Sequence, residues 1–189
     1  MEKINKNDPF ILNEYVLEPL ENETIVTNFD CGDQDLNEYF KYDTIAHRFE
    51  MFTKSYSFHL KDNDIRDSLA LVDFCNSEIR KESFKDVEMK NEIPEEKKGY
   101  SFFPAVKITR LGVAVDYQGR HIGSVLLDVV KAFFIASSRA GCRFLLVDAY
   151  KEAVHFYQKN GFLPLYVKKP ENRRTLPLFF DLKSIIQDK

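Results

Sequence analysis

The chain has 189 residues, with 27 Lys+Arg against 30 Asp+Glu and a net charge of −3. With 17 Phe and 9 Tyr, it holds enough apolar surface to bury a core, which excludes wholesale disorder. Its most apolar runs, such as Ala132–Ala136 and Phe144–Val147, fall far short of the ~18 residues a membrane span needs. Met1–Phe10 has no apolar centre, so no export signal is expected. Cys31, Cys75 and Cys142 are scattered without metal-ligand spacing and read as reduced cytoplasmic thiols.

In chain order, a polar lead-in over residues 1–10 is followed by a strand at Tyr15–Leu20. Asp33 precedes Leu36, Tyr39 and Phe40, the spacing of a capped amphipathic helix that runs to about Arg48. Ser55–Leu60 alternates and Ser68–Cys75 is apolar, so both read as strands, joined by the polar turn Asp62–Asp67. Residues 81–98 mix both charge signs and read as an exposed insertion. Pro104–Val115 is β-branched and apolar, a long buried strand. Ile122, Val125, Leu126, Val129, Val130 and Phe133 mark one face of a helix to about Ala140, stopped by Gly141. A strand at Phe144–Asp148, a helix at Lys151–Asn160 stopped by Gly161, and strands at Phe162–Val167 and Leu176–Leu182 complete the pattern. The fold class expected is α/β, a mixed sheet flanked by helices, in one domain over 1–189.

Charge is unevenly spread. Residues 1–98 carry 13 basic and 23 acidic groups, and residues 99–189 carry 14 basic and 7 acidic. An anionic ligand therefore belongs on the second half. The segment Tyr117-Gln118-Gly119-Arg120-His121-Ile122-Gly123 lies between an expected strand and an expected helix. A helix start offers unpaired N–H groups and the positive end of a dipole, and glycines let a phosphate come close. A plain strand–helix turn would look similar.

Together with Arg110-Leu111-Gly112-Val113, this segment resembles the acetyl-CoA motif Gln/Arg-x-x-Gly-x-Gly/Ala of the GNAT N-acetyltransferases. Ala153-Val154-His155-Phe156-Tyr157 through Gly161-Phe162 resembles that family's A-x-x-F-Y-x-x-x-G-F helix. More loosely, Phe29-Asp30-Cys31-Gly32 with Leu36, and Thr175-Leu176-Pro177-Leu178, resemble the toxin-type subgroup that acetylates tRNA-bound amino acids. His121 stands where the family usually has Gly, and Tyr150 where it often has Asn. A positive φ at His121 would be strained, whereas a negative φ would leave its N–H usable.

The resemblance implies a GNAT-type fold and acetyl-CoA as cosubstrate, with no metal. It implies that Leu111 and Val113 pair with the pantetheine arm, and that Gln118, Gly119, Arg120, His121, Ile122, Gly123 and Ser124 cradle the pyrophosphate. The strands from Pro104 and Phe144 would splay to admit the arm. Tyr157 matches the general acid, since a phenol with a pKa of about 10 can protonate a leaving thiolate. Glu152 and His155 read as surface groups. Asp73 and Glu78 are candidate bases by position, though surface ion pairing is the stronger reading, and His47 and His59 have no pattern around them. The activity expected is acetyl transfer to a primary amine of a small molecule, protein or peptide. The alternatives are acetylation of aminoacyl-tRNA and a non-catalytic CoA-binding module. A homodimer is an admissible assembly, while tRNA and a small antitoxin are partners less favoured than a generic amine.

Overall fold

The computed structural model describes residues 8–84, 99–137, 140–166 and 172–187. It is a mixed α/β structure whose chain forms two compact units, Met1–Cys75 with Thr109–Ser137 and Asn76–Ile108 with Ser138–Lys189. Two long strands, β4 (Ala70–Arg80) and β5 (Phe102–Val113), run through both units.

In the first unit the strand order is β1-β2-β3-β4-β5, with β1 at Phe10–Leu12, β2 at Tyr15–Pro19 and β3 at Lys54–Leu60. The meander is antiparallel, with Leu17 opposite Phe58 and Tyr56 opposite Val72. The short strand β1 begins at Phe10, the last residue of the stretch read from sequence as lead-in, and continues beyond it; Asn13 turns it back on β2 at φ 54, a conformation Asn tolerates. One layer over these strands is α3 (Ile122–Ser137), which buries Leu126, Leu127, Val129 and Val130. Its Phe133 ring meets Phe10 and Tyr56, each with centroids 5.5 Å away, and Phe134 meets Phe74 at 5.1 Å.

The helix expected from Asp33 to Arg48 is present but not uniform. Asp33 caps α1 (Gln34–Glu38) by accepting from the Leu36 N–H at 2.9 Å. A π-helical stretch, Tyr39–Asp43, then widens the coil before α2 (Thr44–Phe49). This places Tyr39 and Phe40 in a cluster with Leu20, Val26 and Leu71 and sets Thr44 and Arg48 toward the interior. Burial of such residues contributes roughly 1.5–3 kcal/mol per large apolar side chain, which outweighs the irregular hydrogen bonding of one wide turn.

In the second unit the order is β4-β5-β6-β8-β7, with β6 at Phe144–Tyr150, β7 at Leu163–Pro164 and β8 at Thr175–Asp181. Strand β6 is parallel to β5 and antiparallel to β8. The β5–β6 register pairs Ala105 with Phe144 and ends at Ile108 with Val147, although β5 continues to Val113 and β6 to Tyr150. Ile79, Phe103, Phe144, Leu146, Leu165 and Phe179 form the core, with Phe84 packed against it. Helix α4 (Val154–Lys159) follows a 3-10 turn at Lys151–Ala153, and α5 (Lys183–Gln187) follows β8.

Several sequence-based bounds shift. Strand β4 runs five residues past Cys75 to Arg80, because Ile79 joins the core although polar residues flank it. Helix α3 is described over Ile122–Ser137, and of the expected remainder to about Ala140, residues 138–139 lie outside the described residues. The expected strand Phe162–Val167 reduces to Leu163–Pro164, with Val167 outside the described residues. Of the insertion at 81–98, Lys81–Phe84 is a 3-10 turn and 85–98 lie outside the described residues, as do Lys168 and Lys169. Among the described residues no helix is long and apolar enough to cross a membrane.

Candidate active site

The expected phosphate-binding segment sits between β5 and α3 in the first unit. Gly119 has φ 72 and His121 has φ 63, so the turn uses two left-handed residues. A Cβ at Gly119 would meet nothing within 4 Å, so glycine serves the backbone angle there rather than space. His121 does occupy a positive φ. Histidine is among the side chains that tolerate that region, at a cost of about 1–2 kcal/mol. The Ser124 and Val125 N–H groups both donate to the His121 carbonyl. Helix geometry leaves the N–H groups ahead of them, those of Ile122 and Gly123, without intrahelical acceptors. The Arg120 guanidinium lies 5.8 Å from the centre of the Tyr117 ring.

Gln118 differs from the expectation. Its side-chain amide donates to the Cys31 carbonyl at 2.8 Å and to the Val113 carbonyl at 2.9 Å. Both of its N–H bonds thus brace the loop. The segment it braces against is Phe29-Asp30-Cys31-Gly32. The Asp30 carboxylate accepts from the Gly32 N–H at 2.8 Å and from Asn37 Nδ2 at 2.7 Å, which holds its pKa below the usual carboxylate range. The Asp30 carbonyl accepts from the Val115 N–H at 2.9 Å. Gly32, at φ 79, lets the chain turn with a Cβ position only 3.3 Å from Val115. Gly112, between the half-buried Leu111 and Val113, is needed for space: its Cβ would lie 3.3 Å from Cys31 and Leu36. Two motifs separated by some 80 residues in sequence are therefore one structural assembly, which sequence reading treated as independent.

Tyr157 belongs to the second unit. Gly161 ends α4 at φ 83, and the Phe162 N–H returns to the Tyr157 carbonyl at 3.1 Å. That turn brings the Phe162 ring 5.4 Å from Tyr157, with Phe156 at 5.0 Å on the other side. Tyr157 is buried, and burial pushes its phenol well above the usual tyrosine range. The phenol therefore stays protonated at neutral pH, the state a general acid needs. Glu152 and His155 are exposed, in line with a surface role. Tyr150 is exposed and carries the Arg174 guanidinium 5.3 Å from its ring centre.

Of the two carboxylates considered as bases, Asp73 is fully buried in the first unit, not a surface group. Its Oδ2 accepts from Tyr39 at 2.7 Å, Thr44 at 3.2 Å and Thr53 at 3.3 Å. Burial raises the Asp73 pKa, and these hydroxyls only partly offset it. Arg110 lies over the Tyr39 ring at 4.7 Å, and the buried Arg48 donates to Thr44 at 3.4 Å. This is a structural network, and its hydroxyls gave no sequence signal because they are scattered over residues 39–55. The His59 ring nitrogens lie 2.9 Å from the Glu18 carboxylate and 2.8 Å from the Leu60 carbonyl, both acceptors, and His47 lies 3.4 Å from the Tyr39 hydroxyl. Glu78 is exposed on the second unit. Among the described residues no cluster of His, Cys, Asp and Glu has the make-up of a metal site.

Residues 87–164 match the family model described as acetyltransferase (GNAT) domain. Solved structures extend the likeness to nearly the whole chain. AtaT complexed with acetyl-methionyl-tRNAfMet is 25% identical with a TM-score of 0.70, covering 92% of this chain and 98% of that one. A tyrosine-to-phenylalanine mutant of KacT is 22% identical with a TM-score of 0.72, covering 94% and 100%. AtaTR bound with acetyl-CoA is 24% identical with a TM-score of 0.66, covering 93% and 98%. The fold is that of the GNAT acetyltransferases. No curated protein sequence matches the chain. Both resemblances read from the sequence hold, to the GNAT family at large and to its toxin-type members. In chain order, the glycine-containing turn lies between β5 and α3, and Phe156 and Tyr157 lie on α4.

Proposed function

We propose that this protein transfers the acetyl group of acetyl-CoA to the α-amine of an aminoacyl-tRNA. The observation that carries the acceptor is the likeness, over 92% of the chain, to AtaT complexed with acetyl-methionyl-tRNAfMet. The donor rests on the turn at Gly119–Gly123 and on the likeness to AtaTR bound with acetyl-CoA.

In this reading the N–H groups of Ile122 and Gly123, with Arg120, His121 and Ser124, hold the pyrophosphate. Gln118 keeps the turn in shape. Leu111 and Val113 offer their backbone to the pantetheine arm. The neutral amine attacks the thioester carbonyl carbon, the C–S bond breaks, and the Tyr157 hydroxyl gives its proton to the departing sulfur. The nitrogen then loses its extra proton to water, and Tyr157 regains one. Burial makes Tyr157 a weaker acid, but a poorly solvated thiolate is a stronger base for the same reason, so the proton transfer stays close to matched. An α-amine, with a pKa near 7.7–8.0, is substantially neutral at physiological pH and requires no dedicated base. That agrees with Asp73 being occupied structurally.

The test is incubation with labelled acetyl-CoA and a mixture of charged tRNAs, followed by release and identification of the acetylated amino acid. Label on one or a few amino acids is the expected result. No label on any charged tRNA, with label on a free polyamine or peptide, would overturn the acceptor assignment. The acidic excess of residues 1–98 favours that second reading, a cationic amine.

A further inference from the structure

Helix α2 (Thr44–Phe49) ends in a turn that holds three large apolar side chains in solvent. Phe49 is 53% exposed, Met51 89% and Phe52 65%. The turn has a defined geometry. The Phe52 N–H donates to the His47 carbonyl at 2.9 Å, and the Met51 N–H to the Arg48 carbonyl at 3.1 Å. Those two bonds are the Schellman pattern, in which the residue after the helix cap adopts the left-handed conformation. That residue is Met51, at φ 56. The Phe52 ring meets the His47 ring edge-on with centroids 6.1 Å apart, the side-chain contact that commonly closes such a turn.

Glycine is the usual residue at this position, because it lacks the Cβ that makes left-handed backbone costly. Gly32, Gly119 and Gly161 take positive φ elsewhere in the chain. Met51 has no such freedom, and at 89% exposed its side chain recovers little by packing. Stability alone would select glycine here. What methionine supplies instead is a flexible, polarisable side chain held out beside two aromatic rings. Methionine and aromatic side chains are enriched where proteins bind one another, and an exposed apolar patch marks such a surface.

Charge selects the occupant. Residues 21–54 carry eight acidic and three basic residues. Glu50 lies within the turn and Asp43 just ahead of α2, both exposed. Arg48 is buried, and its guanidinium donates to the Asn22 and Thr24 carbonyls. That ties to α2 the segment that carries Glu21 and Glu23, also exposed. A second copy meeting this face with its own would set acid against acid, and a nucleic acid would be repelled. A segment with apolar and basic side chains on one face matches both the rings and the carboxylates.

We infer that the turn Phe49–Phe52 is a docking surface for a cationic amphipathic segment of a partner protein, with Met51 and its flanking rings as the anchor. This surface does not depend on the acceptor proposed above.

The test titrates the full chain, isotope-labelled at its methionine methyl groups, with synthetic peptides of equal length followed by NMR. One peptide places leucine and lysine at amphipathic-helix spacing, a second has glutamate for lysine, and a third has serine for leucine. The leucine–lysine peptide should bind at least about tenfold more tightly than either of the others, and should shift the methyl signal that Met51→Gly removes. Met51→Gly should weaken that peptide by about threefold or more. The same variant should raise Tm by about 2–4 °C, because glycine relieves the left-handed backbone. A methionine that served only the fold would not give this split of higher stability and weaker binding. Equal binding of the leucine–lysine and serine–lysine peptides, an unmoved Met51 signal, or a Met51→Gly variant that melts lower or binds as wild type would each overturn the surface. So would a dimer in sedimentation that Met51→Gly dissociates, because a second copy would then be the occupant.

Discussion

Replacing Gln118 separates two roles that its motif cannot distinguish. By sequence its amide is a donor to phosphate. In the structure it spans the Cys31 and Val113 carbonyls at 2.8 and 2.9 Å. Gln118→Ala removes two neutral hydrogen bonds, each contributing about 0.5–1.5 kcal/mol net. The residue is exposed, so water recovers part of the loss, and a destabilisation of about 1–2 kcal/mol is expected. For a chain of this size that lowers Tm by about 2–8 °C, at roughly 2–4 °C per kcal/mol. Gln118→Glu should cost more, because it turns a carboxylate toward two carbonyl oxygens. The measurement is scanning calorimetry without acetyl-CoA, paired with calorimetric titration of acetyl-CoA. If both variants melt within about 1 °C of wild type while acetyl-CoA binding weakens, the bracing role is wrong and the amide serves the phosphate directly.

Tyr157→Phe keeps the ring contacts with Phe156 and Phe162 and removes only the hydroxyl. Thiol release should fall by about 10²-fold or more, the usual scale for a general acid, while acetyl-CoA affinity changes less than twofold; unchanged turnover would dismiss Tyr157. Gly161→Ala forces a Cβ at φ 83 to within 3.0 Å of the Phe180 ring and should destabilise by about 2–3 kcal/mol, read from urea denaturation. Asp73 gives a pH signature. Its raised native pKa means the folded state holds the proton more tightly than the unfolded chain. Stability should therefore decline as pH rises from the unfolded carboxyl value of about 3.9 through the raised native value, then level off. Asp73→Asn should flatten that decline, and an unaltered profile would show that Asp73 does not set it.

Much of the architecture was legible because it follows from periodicity and punctuation. The apolar face from Ile122 to Phe133, the Asp33 cap and the Gly161 stop each act within a few residues, so local sequence carries them. The wide turn at Tyr39–Asp43 was not legible, because it answers to burial against Leu20, Val26 and Leu71, residues on other elements. Strand β4 likewise outran its apolar stretch because Ile79 finds a core formed by β5, β6 and β8.

The same division runs through the candidate site residues. The glycine-containing turn before a helix and the Phe-Tyr helix announce themselves by residue type at fixed spacing, since unpaired N–H groups and a phenol are chemistry that sequence displays directly. Sequence could pose the question of His121 but not answer it, because φ is a property of the folded backbone; the structure gives 63°. Nor could it show that the Asp30-Cys31-Gly32 turn receives Gln118, or that Asp73 is enclosed by hydroxyls. Those arrangements join residues dozens of positions apart. They arise only when β4 and β5 bring distant segments side by side, and burial and hydrogen bonding then decide which side chains brace the fold and which stay available to a ligand.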